Sequence, residues 1–226
     1  MIVLSHRGYW QDVSEKNTPI AFDRSFSLGF GTETDIRDLD GELIISHDPP
    51  QGGCLTVDEF FEIYQQYSPE LYLALNIKAD GLQEKLKKKL AYYNVGKYFV
   101  FDMSVPDGLQ YLNHNIKSFT RESEYEKVLP FYEKVCGVWL DEFEGHWINK
   151  KVIEEHIKQQ EVHLNTLKTH LLEELNDKVL DTIPGVVELP EGADPTPPTK
   201  QPPSIIMLGQ FSQTKQQLRS LFKPIF

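Results

Sequence analysis

Over the first 165 residues, short apolar runs alternate with amphipathic stretches, the pattern expected of repeated βα units around a parallel sheet. The runs from Ile2 to Ser5, Thr32 to Asp38, Leu71 to Ile77, Tyr98 to Asp102, Ile116 to Thr120 and Val138 to Asp141 read as strands, and a weaker one covers Val162 to Asn165. Seven such runs approach the eight of a TIM (β/α)8 barrel. Helix signals fall between them. Thr18-Pro19 sets a capping hydroxyl before a proline at the first helical position, Ile20, Ala21, Phe22 and Phe26 give an apolar face, and Gly29 closes the helix. Thr56-Val57-Asp58-Glu59 is a capping box ahead of Phe60, Phe61 and Tyr64. Asp80 is placed to cap a helix carrying Leu82, Leu86 and Leu90, whose lysines 87 to 89 read as a solvated face. Asp40-Gly41 between two strand-like runs predicts a hairpin after the second strand.

The rhythm changes in the last third. Seven prolines fall between Pro184 and Pro203 with few large apolar residues, which predicts an extended loop. An apolar run, Ser204 to Leu208, and an amphipathic stretch, Phe211 to Phe222, follow it. The expected organisation is therefore an α/β barrel core over residues 1–165 and a divergent segment over 166–226, which either closes the barrel or is appended to it. On the second alternative the barrel is incomplete or irregular in that last third, and a long structureless loop inside a compact domain counts in its favour.

Composition narrows the setting. With 40% hydrophobic and 12% aromatic residues in 226, the chain can bury a full-sized core. No apolar run reaches the roughly 20 residues that span a bilayer, and Met1 to His6 carry no basic leader, so a soluble, cytoplasmic protein without a transmembrane segment is expected. Cys54 and Cys136 are too few for a disulfide framework. A formal charge of −11 argues against binding the backbone of long nucleic acids, which needs clustered bases to displace counterions. It does not exclude a small anionic ligand, because a cation and one or two local bases dominate the field at short range.

Reactive side chains concentrate at His6-Arg7-Gly8, Glu33-Thr34-Asp35, His47-Asp48 and Asn76-Ile77-Lys78, each at or near the end of an expected strand. In a parallel barrel those ends form one rim, where barrel enzymes place their chemistry. Glu33 and Asp35, two apart on a strand, point to the same side, where two carboxylates repel unless a cation lies between them. Hard oxygen ligands suit Mg²⁺, Ca²⁺ or Mn²⁺ rather than zinc. The alternative is an exposed strand whose acids are only solvated. His6 and His47 are candidates for general base and general acid, since imidazole titrates near neutrality. Arg7 and Lys78 are suited to holding phosphate oxygens. Arg121 and Trp139 end later strands and read as a salt-bridged base and a core ring. The other histidines, His114, His146, His156, His163 and His170, show no partner pattern.

His6-Arg7-Gly8, Asn17-Thr18, Ala21-Phe22, Gly29, Glu33-x-Asp35, Asp40-Gly41 and His47-Asp48-Pro49 occur in an order and spacing that resembles the glycerophosphodiester phosphodiesterase signature, within the superfamily that includes phosphatidylinositol-specific phospholipase C. The resemblance covers residues 1–80 by motif and 1–160 by βα rhythm. It implies a TIM barrel, a divalent metal on Glu33 and Asp35, and His6 and His47 as the acid/base pair. The implied reaction cleaves a small-molecule glycerophosphodiester to glycerol 3-phosphate and an alcohol. Two positions depart from the pattern. Lys16 precedes Asn17 where the family has Glu-Asn-Thr, and Asn76 stands where a third strand ending Glu-x-Lys would supply a glutamate ligand. Asparagine can still offer a carbonyl oxygen to a hard cation, without the charge, and Asp80, Asp102 and Asp141 are the candidates to compensate for it. Two other functions remain open: a barrel that binds a phosphodiester or polyol phosphate without turnover, and a lyase or phospholipase forming a cyclic phosphate. The alcohol, the metal and the oligomeric state are not fixed by the sequence.

Overall fold

The computed structural model describes residues 2–50, 52–145 and 147–159, together with residues 206 and 207. Strands β1 (Leu4–His6), β2 (Gly31–Leu39), β4 (Leu73–Ile77) and β5 (Tyr98–Phe101) pair in parallel in that order. The Asp40-Gly41 turn, with both residues at positive φ, sends the chain back as β3 (Glu42–Ile45), antiparallel to the far half of β2. Strands β6 (Phe119–Glu122), β7 (Gly137–Leu140) and β8 (Ile206–Met207) form a second parallel set. A parallel bridge from Val100 to Ser118 links β5 to the residue before β6. The architecture is mixed α/β with parallel strands, and among the described residues these strands do not close into a barrel.

Period-two alternation divides the side chains between two cores. Ile36, Leu73, Leu75, Ile77 and Val100 face the helices, where they meet Phe22 and Phe26 of α1 (Pro19–Ser27), Phe60, Phe61 and Tyr64 of α2 (Val57–Tyr64), Leu86 and Leu90 of α3 (Gln83–Tyr92), and Tyr111 of α4 (Val105–Asn113). Leu4, Ala74, Phe99, Phe101, Phe119 and Trp139 form the other core. In it Phe99 stacks on Phe119 and Phe101 on Trp139, both at 3.8 Å between ring centroids. Polar side chains at the carboxyl ends of the same strands lie beyond this aromatic layer.

Local signals decide most of the helix starts. The Thr56 hydroxyl accepts from the Glu59 N–H at 3.2 Å while the Glu59 carboxylate accepts from the Thr56 N–H at 2.8 Å, the expected capping box. Two expected caps are not made. Thr18 Oγ1 donates to the Glu15 carbonyl at 2.5 Å instead of capping α1, because the preceding 3-10 turn leaves that carbonyl within reach. Asp80 accepts from Ser104 Oγ at 3.3 Å, and α3 begins after Leu82 with no side-chain cap.

The chain divides into two compact units, residues 1–148 with 206–226, and residues 149–205. In the second, residues 150–159 are helical, with Asn149 Oδ1 accepting from the N–H groups of Lys151 and Val152. The Val162 to Asn165 strand and the loop from Pro184 to Pro203 lie outside the described residues.

Gly8 fixes the exit from β1. Its φ is +80°, its N–H donates to Thr32 Oγ1 at 2.9 Å, and a Cβ there would lie 2.6 Å from Ala21 Cβ. Gly8→Ala is expected to destabilise the protein by about 2 kcal/mol or more, from the positive φ and overpacking against α1, read as a lower midpoint in urea denaturation. Wild-type stability in that variant would contradict the packing.

Candidate active site

Parallel register sets the site. His6 is paired with Glu33, Asp35 with Asn76, and Asn76 with Phe101, so residues from four neighbouring strands turn to one face at their carboxyl ends. A cavity of about 200 Å³ opens there, lined by His6, Arg7, Glu33, His47, Asn76 and Lys78. Asp35 lies just behind them, fully buried. The structure thus brings together all seven residues singled out in the sequence.

The two carboxylates are inside the protein, so they are not a solvated acidic face. Glu33 is 1% exposed and Asp35 0%. Glu33 accepts from the Arg7 backbone N–H at 3.2 Å and from the Asn76 amide at 3.1 Å. Burial, and next the neighbouring Asp35, push its carboxyl far above the usual carboxylate range. Asp35 Oδ2 accepts from Asn17 Nδ2 at 2.9 Å and lies 2.8 Å from Arg7 Nε. That Nε–H is not aligned on the oxygen, so the Arg7 contact is one of charge rather than a hydrogen bond. Lys78 Nζ stands 4.0 Å from Asp35 Oδ1.

Two oxygens here are buried without a hydrogen-bond donor, Asp35 Oδ1 and Asn76 Oδ1. Orphaned buried acceptors are costly and need an explanation. A carboxylate oxygen and an amide oxygen are both hard donors of the kind that Mg²⁺, Ca²⁺ or Mn²⁺ takes. Among the described residues no group of three or more His, Cys, Asp or Glu is placed to hold a metal ion, so a cation at this site would rest on two carboxylates and the neutral Asn76 oxygen. The residues present fit such an ion, and they do not offer the nitrogen and sulfur ligands that zinc prefers.

The two histidines sit differently. His6 Nε2 lies 3.8 Å from Glu33 Oε2, and burial, then the Arg7 charge, lower its pKa to about 4. Its imidazole is therefore neutral across the ordinary pH range. His47 is on the loop after β3, half exposed, with Nδ1 2.9 Å from Asp48 Oδ1. The Arg37 guanidinium donates to the His47 carbonyl at 3.0 Å and the Ser46 N–H to the Asp35 carbonyl at 3.0 Å, tying that loop to β2. Arg7 and Asn17 both have left-handed backbones, with φ of 58° and 59°, and the Asn17 N–H donates to the Arg7 carbonyl at 3.0 Å. Asn17 also accepts from Thr34 Oγ1 at 3.0 Å, which fixes which amide atom meets Asp35.

Sequence reasoning placed Asn17 in the signature but gave it no role, and it turns out to orient Asp35. Asp102, one of the acids offered as compensation for Asn76, has its carboxylate paired with Lys78 at 2.6 Å and with Arg121. Arg121 further bonds Glu126 at 2.5 Å, so it is the salt-bridged base expected, and it lines the cavity as well. Trp139, buried as expected, forms part of the cavity wall through its stack on Phe101.

The fold and this rim define a mixed α/β protein with a polar cavity at the ends of its parallel strands. Among solved structures it is similar to a Galdieria sulphuraria protein described as a candidate glycerophosphodiester phosphodiesterase, at 15% identity and a TM-score of 0.57 over 70% of this chain and 80% of that one. It is also similar to the glycerophosphodiester phosphodiesterase of Agrobacterium tumefaciens str. C58, at 15% identity and a TM-score of 0.51 over 62% of this chain and 76% of that one. At these identities the likeness shows the fold. No protein-family model matches the chain, and no curated protein matches it in sequence.

The raised Glu33 carboxyl carries a pH consequence. A group whose folded pKa exceeds its unfolded one costs nothing below the unfolded value, near 4.5, and costs increasing stability as pH rises through the folded value. Glu33→Gln removes that penalty. With chelator present, the variant is expected to exceed wild type in stability by on the order of 1–3 kcal/mol at pH 8, and to show little gain at pH 4.5, measured by denaturant midpoints. An equal gain at both pH values would contradict the assignment.

Proposed function

We propose that the chain is a metal-dependent phosphodiester hydrolase that cleaves a glycerophosphodiester to glycerol 3-phosphate and an alcohol. The observation that carries this reading is the pair of buried carboxylates, Glu33 and Asp35, with Asp35 Oδ1 and the neighbouring Asn76 Oδ1 left without donors, at a cavity lined by two histidines and three bases. Likeness to two solved structures described as glycerophosphodiester phosphodiesterases supports the same reaction class and a barrel scaffold.

Glu33, Asp35 and Asn76 would hold the cation, which supplies charge neutralisation at the phosphoryl oxygens. The chain's own residues do the rest. Arg7 and Lys78 orient the phosphoryl group, Arg7 by its fork and Lys78 as a point charge steadied by Asp102. One histidine of the His6 and His47 pair takes a proton from the attacking water while the new P–O bond forms. The other gives a proton to the alkoxide as its P–O bond breaks. Trp139 and Phe101 close the floor of the cavity and keep bulk water from beneath it.

A second reading has its own observation. Asn76 brings no charge and donates its amide to Glu33 at 3.1 Å, which favours a site that binds a phosphodiester or polyol phosphate without turning it over. A third, attack by the substrate's own hydroxyl, differs in product.

Glycerophosphodiesters supplied with Mg²⁺, Ca²⁺ or Mn²⁺ should be hydrolysed, and chelator should abolish the rate. His6→Ala is expected to lose about 10²–10⁴-fold in kcat. Phosphorus NMR of the product separates glycerol 3-phosphate from a cyclic phosphate. Absence of metal-dependent, His6-dependent turnover on any diester would overturn the enzymatic reading and leave the binding one.

A further inference from the structure

Strands β6 and β7 are parallel neighbours, so the segments leaving them emerge on the rim that carries His6 and Glu33. After β6 the chain makes a tight turn. The Ser123 hydroxyl, fully buried, accepts from the N–H groups of Tyr125 at 3.3 Å and Glu126 at 3.2 Å, which holds Glu124 rigidly at the turn. After β7 the chain turns again over residues 141–145. This turn is closed on itself, with Trp147 Nε1 donating to the Asp141 carbonyl at 2.9 Å and the Ile148 N–H to Glu142 Oε1 at 2.9 Å.

The Glu124 carboxylate joins the two. It accepts three successive backbone N–H groups, from Phe143 at 3.1 Å, Glu144 at 3.1 Å and Gly145 at 3.1 Å. Three converging amides form a concave anion site, here filled by the protein's own carboxylate. Desolvation acts to raise the Glu124 carboxyl, but these N–H groups and its own outweigh it and hold the pKa down at about 2. The carboxylate is therefore ionised, and an acceptor only, through the working pH range.

The clamp determines where one side chain stands. Phe143 is 54% exposed, lines the cavity beside Arg121 and Trp139, and has its ring centroid 5.5 Å from the Arg121 guanidinium. Arg121 is itself held by Asp102 and Glu126, so ring and guanidinium form a fixed wall. Arg7 belongs to the β1 end of the strand order, whereas Phe143 follows β7. Arg7, Lys78 and Phe143 all line the same cavity, so a diester held there by its phosphate has Phe143 on the β7 side.

We propose that Glu124 is a positioning residue that fixes the turn carrying Phe143, and that Phe143 with Arg121 selects phosphodiesters bearing a carbon-rich substituent on that side. This deepens the hydrolase reading and rests on it. An exposed aromatic ring backed by a guanidinium gives apolar contact area at little entropic cost, and discrimination of one or two apolar groups is worth about ten- to a hundredfold in kcat/KM.

The test uses two synthetic diesters of glycerol 3-phosphate, the methyl and the benzyl, with the full chain and its Glu124→Ala, Glu124→Gln and Phe143→Ala variants. Glu124→Ala is expected to lower the benzyl-over-methyl ratio of kcat/KM about tenfold through KM, and to speed amide hydrogen exchange at Phe143, Glu144 and Gly145. Glu124→Gln, which keeps one acceptor oxygen, should fall between it and wild type. Phe143→Ala should lower the same ratio with Glu144 and Gly145 still protected. Unchanged exchange in Glu124→Ala, or an equal loss on both esters, would overturn the proposal. If neither ester is hydrolysed by the wild-type chain, the hydrolase reading fails separately. Calorimetric affinities for the same two esters then decide the proposal by the same ratio.

Discussion

Two carboxylates buried side by side on β2 are the constraint to which the rest of the site answers. Neither Glu33 nor Asp35 reaches solvent, and the charge of Asp35 adds to burial in raising the cost of ionising Glu33. The protein surrounds them with partial compensation. Arg7 sets its side chain against Asp35 and its backbone N–H on Glu33, Asn17 and Asn76 contribute amides, and Lys78 stands at 4.0 Å. Two acceptors remain without donors, and both are oxygens. The proposed hard cation would satisfy both acceptors and remove the repulsion together.

That arrangement depends on backbone geometry that few residues tolerate. The chain leaves β1 with Arg7 and Gly8 both at positive φ, and Asn17 takes the same left-handed form where it meets Arg7. Gly8 has no room for a side chain against α1, so the loop is held close to the helix and its N–H groups turn inward to Thr32 and Glu33. Beneath, the stacked pairs Phe99 with Phe119 and Phe101 with Trp139 make a dry floor. Strain above and dense packing below locate the polar groups in between.

Much of this was legible in the chain because its signals are local. Glu33 and Asp35 share a face through the period of a strand, Asp40-Gly41 makes its hairpin, and Thr56 with Glu59 makes its box. Six strand runs appear within a few residues of their expected ends. What was not legible depends on partners distant in sequence. Asp80 looked like a cap until Ser104 was beside it, and Thr18 found the Glu15 carbonyl instead of its own helix. Asp102 and Glu124 carry no motif. Their roles come from Lys78 and Arg121 in one case and a turn some twenty residues on in the other, and only the parallel register brings these together.

The central claim is that Glu33, Asp35 and Asn76 form one cation site facing the cavity of the two histidines. Anomalous scattering from a crystal of the full chain grown with Mn²⁺ addresses it directly. The account predicts one strong peak within about 2.0–2.6 Å of a Glu33 oxygen, an Asp35 oxygen and the Asn76 amide oxygen. At saturating Mn²⁺, a peak bound elsewhere, or none beside Glu33 and Asp35, would contradict it.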